Sequence, residues 1–218
     1  MGMMITTSRP PLINQLQSKL LLQPLPGTAS HYKMAHAVRK VDPNPDPSLV
    51  RDAAVLITLF EKTPGDWHIL FIRRTSSHEG DKHAGQIGFP GGKREVEDPD
   101  LMYTALRETE EEIAIDLSGI DVLGALSPLY ITVSKFMVHP FVAYSWKAQQ
   151  LSRQETEVEE ILVIPLASFL DASTMQLTRI QIRPGIILNE VPSFQINGHL
   201  IWGATAMILS EFLDILQA

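Results

Sequence analysis

Apolar residues are unevenly spaced along the chain, and their spacing divides it into elements. Residues 12–22 (LINQLQSKLLL) carry apolar positions at helical intervals and predict one short amphipathic helix. A polar stretch follows, ending in Asp42-Pro43-Asn44-Pro45-Asp46-Pro47. Prolines at every second position prohibit a helix there and predict an extended linker. Residues 1–48 are therefore expected to form an extension and residues 49–218 the domain, whose compact part starts near Arg51. Residues 53–60 (AAVLITLF) and 68–73 (HILFIR) flank the turn chemistry of Thr63-Pro64-Gly65-Asp66 and predict a hairpin. Polar residues 75–86 predict a long loop leading into Gly88-Phe89-Pro90-Gly91-Gly92. A helix is predicted over 100–115, strands over 120–126, 136–145 and 160–164, and a short helix around 165–170. Trp202 or Gly203 opens a last helix with an apolar face. Strands mixed with two or three helices predict an α/β or α+β sandwich.

Composition narrows the function. The chain is 44% hydrophobic and 20% charged over 218 residues, which suits one domain with a generous core. A net charge of −7 argues against a nucleic-acid partner, because binding a polyanion needs a basic stripe. The absence of cysteine excludes disulfides, zinc-thiolate sites and cysteine nucleophiles. No apolar run approaches the roughly 20 residues that span a bilayer, and the first residues lack the pattern of a secretory signal. A soluble, cytoplasmic protein with no membrane partner is the expectation. The histidines show no metal-binding spacing, and Ser76, Ser77 and Ser134 have no triad context.

The chemistry concentrates in Arg107-Glu108-Thr109-Glu110-Glu111-Glu112. On a helix at about 100° per residue, Met102, Ala105, Leu106, Thr109 and Ile113 form one mostly apolar face, expected to pack on the sheet. Glu108, Glu111 and Glu112, spaced i, i+3, i+4, fall together beside that face, whereas Glu110 lies on the opposite flank. An acidic run on a helix is ordinarily a solvated face. Three carboxylates this close repel one another, and a divalent cation reverses that sign. Oxygen-only ligands favour Mg²⁺, Ca²⁺ or Mn²⁺ over zinc, and such ions clamp phosphates and activate water. Gly91-Gly92 lets the backbone approach a ligand or metal, and Arg107 is placed to orient one carboxylate.

Gly92 followed by Arg107-Glu108-Thr109-Glu110-Glu111-Glu112-Ile113-Ala114-Ile115 resembles the Nudix box. It departs from the family's pattern in three ways. The connection from Gly92 to Arg107 is one residue longer, Asp98 or Asp100 stands near the place of the intermediate glutamate, and Ala114 replaces the last glycine. The first two departures are similar to the coenzyme A pyrophosphatase branch. Arg74-Thr75 and Lys82 through Gly92 resemble that branch's second signature, with two extra residues and with Asp81 where the branch usually has an arginine. Ser127–Tyr130, Val133–Phe136, Val163–Leu166 and Ile201–Ala206 extend the likeness over about residues 50–216.

The resemblance implies the Nudix fold, a mixed sheet sandwiched between helices, and a Mg²⁺- or Mn²⁺-dependent attack of water on a diphosphate. Glu108, Glu111 and Glu112 would hold metal, with the Gly92 carbonyl as a further ligand; Glu108 would also be a base or base-orienting group. Glu157 is the candidate for an acid outside the box, with a solvated strand edge as its alternative. Arg73 or Arg74, Lys82 and His83 are candidate phosphate contacts, with solvent exposure as theirs. The expected substrate is coenzyme A or acyl-coenzyme A. Two alternatives stand beside it: another nucleoside diphosphate derivative, such as a triphosphate, dinucleotide or nucleotide sugar, and a non-catalytic nucleotide-sensing domain. Whether the chain is a monomer or homodimer is left open.

Overall fold

The computed structural model describes residues 9–37, 46–75, 85–183 and 185–218. Among them the strands form one mixed sheet of eight and a second sheet of three. The central strand is β1 (Arg51–Glu61), which pairs antiparallel with β2 (Trp67–Arg74) and parallel with the later β7 (Phe136–Ser145). Outward from β2 lie β3 (Ile87–Gly88) and β8 (Val158–Pro165). Short β4 (Gly91–Lys93) pairs with β1, while β5 (Ile120–Ala125) and β6 (Leu129–Ile131) pair with β7.

The run 53–60 is apolar on both parities because both faces of β1 are covered. Ala53, Ile57 and Leu59 face the larger core, shared with the C-terminal helix α5 (Gly203–Gln217). Ala54 and Leu56 face the acidic helix, α3 (Leu101–Ile113). The sheet is thus a filling between helices.

The predicted N-terminal helix is α1 (Pro11–Leu20), whose Ile13, Leu16 and Leu20 are buried in the same core as α5. Behind it, α2 (Thr28–His31) is fastened to α5 by polar contacts. The fully buried Glu211 carboxylate accepts hydrogen bonds from the Gly27 and Ser127 amides and the Ser127 hydroxyl, and pairs with His31 Nε2 at 3.0 Å. Four partners satisfy a carboxylate that burial alone would disfavour. Of the expected linker, Asp42–Pro45 lies outside the described residues.

Two details of the sequence reading change. Met102 is exposed; Leu101 packs in its stead, and Thr104 turns inward to donate to Asp98 Oδ2 at 2.9 Å. The inward face of α3 therefore begins with Leu101 and Thr104 rather than Met102, beside the capped end where Asp100 accepts from the Tyr103 amide. Residues 175–196, for which no strand is predicted, form a long hairpin of β9 (Met175–Arg183) and β10 (Ile186–Ile196), completed by β11 (His199–Trp202). The short helix expected near 165–170 is α4 (Leu166–Leu170).

Candidate functional site

Phe89 positions the glycine loop. It is buried, and its ring stacks on Phe71 with centroids 4.9 Å apart. The Pro90 carbonyl accepts from the Leu56 amide at 2.9 Å, and Gly91 pairs with Val55. This fixes Gly91 at φ +144°, with its Cα so close to β1 that a Cβ would lie within 3.0 Å of the Ala54 carbonyl oxygen and Val55 Cα. Only glycine fits there. The freed amide donates to Glu112 Oε2 at 2.9 Å.

Glu112 is 1% exposed, although it is a carboxylate on a helix. Burial pushes its carboxyl up to about 8, against the Gly91 amide and the Arg74 guanidinium, which lies 3.4 Å from Oε1. Glu108, half-buried, is also raised by burial, partly countered by Arg107. A Cβ on Gly92 would fall within 3.0 Å of Cδ, Oε1 and Oε2 of Glu108, so the glycine is the pocket in which that carboxylate sits. Glu111 is more exposed. Glu157, in the turn before β8, is exposed, and its charge adds to the upward push on both Glu108 and Glu112.

Arg107 ties the cluster together. Its Nε and Nη2 each lie 2.9 Å from one oxygen of the buried Asp98, a bidentate pair. Nη2 also reaches Glu108 at 3.0 Å, and Nη1 reaches Glu111 at 3.0 Å. Hydrogen bonding to Asp98 raises the guanidinium well above its usual value and holds Asp98 far below the carboxylate range. Asp98 also accepts from the Glu95 amide. Of the two aspartates near the missing glutamate, Asp98 braces Arg107 and Asp100 caps the helix. Spacing alone does not distinguish those roles.

At the end of α3, Ala114 adopts the left-handed conformation (φ 52°, ψ 37°), and its amide donates to Glu110. The Glu112 and Ile113 carbonyls accept from the Gln154 and Ser152 amides, which draws the segment bearing Glu157 against the acidic helix. Lys82 and His83 lie outside the described residues. Arg73 points its Nη2 at His199 Nδ1, 2.9 Å away, and its Nε at Glu160, 3.2 Å away. Sequence spacing had no means of pairing Arg73 with His199, 126 positions away.

Among the described residues, no three acidic or histidine side chains already stand together as a metal-ligating group. The residues nevertheless fit a hard divalent cation. The donors are all oxygen, two of the three carboxylates are held partly or wholly out of water, and Glu112 has more burial than its partners offset.

The NUDIX domain family model matches residues 50–183. The uncharacterized Nudix hydrolase NudL of Yersinia enterocolitica is 39% identical over 140 residues, covering 64% of this chain and 70% of that protein. Human mitochondrial coenzyme A diphosphatase NUDT8 is 35% identical over 166 residues, covering 75% and 69% respectively. A Nudix hydrolase of M. smegmatis, RenU, superposes with a TM-score of 0.50 over 77% of this chain and 84% of its own, a likeness of fold at 12% identity. The family match takes in more than half of the chain: the protein belongs to the Nudix family and is a Nudix-type diphosphatase.

Proposed function

We propose that the protein hydrolyses the diphosphate bond of coenzyme A or acyl-coenzyme A, releasing 3′,5′-ADP and the corresponding 4′-phosphopantetheine, with Mg²⁺ or Mn²⁺ as cofactor. The observation that carries the reading is the buried Glu112 beside Gly91, Gly92 and Glu108. A folded chain holds a carboxylate in such a place at a cost, and a cation there turns that cost into affinity. The coenzyme A diphosphatase named among the relatives supports the substrate.

In this reading Glu108, Glu111 and Glu112 are the metal ligands, joined by the Gly92 carbonyl. A bound divalent ion would neutralise the diphosphate and lower the pKa of an attacking water. Arg107 positions Glu108 and Glu111 while Asp98 holds Arg107 in place. Glu108, raised by its half-buried setting, is suited to take the proton of the water, and Glu157 is the second candidate for that role. Arg74 contacts the substrate phosphates, and Gly91, Lys82 and His83 are the further candidates for that contact. Residues 49–218 form the catalytic domain, and residues 1–48 an extension whose α1 and α2 brace α5.

A panel of coenzyme A, acetyl-coenzyme A, ADP-ribose, diadenosine tetraphosphate and nucleoside triphosphates tests the substrate. The proposal requires the highest kcat/KM on a coenzyme A species. Turnover of another diphosphate with coenzyme A ignored would overturn it, and would make Asp81 a marker of changed specificity.

A further inference from the structure

Taking Glu112 as a metal ligand, we propose that Thr205, in the first turn of α5, is a positioning residue for catalysis: its hydroxyl closes a split in the large sheet and so fixes the glycine loop beside Glu112. Thr205 Oγ1 donates to the Ile87 carbonyl at 3.0 Å.

The split follows from the strand pairing. One flank of β1 is taken along its length by β7, and one flank of β2 by β8. On their other flanks β1 and β2 pair with each other only through Trp67, His68 and Ile69 of β2. Farther along, β3 lies against β2 at Ile72 and Arg73, and β4 lies against β1 at Ala53, Ala54 and Val55. No pairing among the described residues joins β3 to β4, and the chain between them is Phe89-Pro90.

Register decides what faces the split. The Arg74 amide donates to the Gln86 carbonyl at 3.0 Å, which makes Arg74 and Gln86 a hydrogen-bonded pair. Such pairs alternate with non-bonded ones along an antiparallel ladder, so Ile87, opposite Arg73, turns its main-chain groups away from β2. Its carbonyl opens into the split, where the Thr205 hydroxyl meets it in place of a strand. The helix is a firm point from which to hold it, because Leu209 and Phe212 are fully buried and Glu211 is bound to Gly27, His31 and Ser127. Without the hydroxyl the carbonyl must seek another partner, since an unpaired acceptor out of water is costly. Phe89 and Pro90 stay anchored to Phe71 and Leu56, so the slack falls on Ile87 and on the Arg74–Gln86 pair beside it. That strand end carries the guanidinium facing Glu112, and the loop beyond it carries the Gly91 amide.

The test compares Thr205→Val, which keeps the shape and removes the hydroxyl, with Thr205→Ser, which keeps the hydroxyl. Hydrolysis of coenzyme A with Mg²⁺, hydrogen exchange of the Gly91 amide by nuclear magnetic resonance, and thermal melting are read for each. In a folded Val variant kcat should fall about 10-fold, less than a full 1 Å misplacement of a catalytic group would cost. The Gly91 amide should exchange about 10-fold faster, as its local opening becomes easier. The Ser variant should match the wild type in both. A folded Val variant with wild-type kcat or wild-type Gly91 exchange would overturn the proposal, as would a Ser variant no better than Val. Mn²⁺ binding that survives Glu112→Gln would instead sink the metal reading, and that variant leaves Thr205 untouched.

Discussion

Gly92→Ala separates catalysis from folding more cleanly than removing a carboxylate does. The backbone of Gly92 is not among the positive-φ positions, so alanine brings no conformational strain. Its Cβ would nonetheless sit within 3.0 Å of three atoms of the Glu108 carboxyl group, where ordinary contact begins at 3.4 Å. The carboxylate is the end of a flexible side chain, so it will swing aside by something on the order of 1 Å. Stability should change by less than about 1 kcal/mol, because the loss of the Arg107 contact is offset by the stiffer unfolded chain. Catalysis should suffer far more. A misplacement of about 1 Å in a catalytic group costs about 10²-fold in kcat, or about 2.7 kcal/mol of barrier. The assay is steady-state hydrolysis of coenzyme A with Mg²⁺, beside a thermal melt. Gly88→Ala is the control: its Cβ would meet nothing closer than Thr205 Oγ1 at 3.7 Å. A folded Gly92→Ala variant with wild-type kcat would show that the position of Glu108 does not matter, and would refute the reasoning.

Four further outcomes are expected. Asp98→Asn removes the charge paired with Arg107 and should destabilise the fold by about 3 kcal/mol, with a fall in kcat as Glu108 and Glu111 lose their brace; a melt and kinetics together check it. Metal-free protein should lose stability as pH rises from 4.5 toward 8, because folded Glu112 keeps a proton that the unfolded chain has released. The slope is about 1.4 kcal/mol per pH unit; Mg²⁺ should flatten it, and Glu112→Gln should remove most of it in melts at pH 5, 7 and 9, leaving the smaller part that belongs to Glu108. Ala114→Gly relieves a left-handed alanine and should raise stability by about 1 kcal/mol, read as a melting temperature higher by about 2–4 °C. Leu16→Ala, in a fully packed position of α1, should cost about 2–5 kcal/mol in denaturant unfolding while leaving KM unchanged.

Much of the fold was legible because its elements obey local rules. The hairpin of β1 and β2 follows from its turn residues, and α3 from its helical period. What failed locally was decided at a distance. Met102 looked apolar enough for the sheet, but the inward hydrogen bond of Thr104 to Asp98 sets the rotation of the helix. The 175–196 hairpin escaped notice because its exposed apolar residues do not follow a one-sided alternation, as they would on a strand with one wet face. The acidic residues of the candidate site are clustered in sequence, so their proximity could be read directly. The burial of Glu112 could not, since it depends on the Gly91 amide and on Arg74, which come from other strands. The same holds for Glu157, drawn toward α3 by the helix's own terminal carbonyls.

The most direct test of the central claim is Mn²⁺ binding followed by electron paramagnetic resonance, in the wild type and in the Glu111→Gln/Glu112→Gln variant. The account predicts saturable binding by the wild type, and loss of both binding and hydrolysis in a variant that still melts cooperatively. If the folded variant binds Mn²⁺ as the wild type does, the acidic turn of α3 is not the metal centre and the account is wrong.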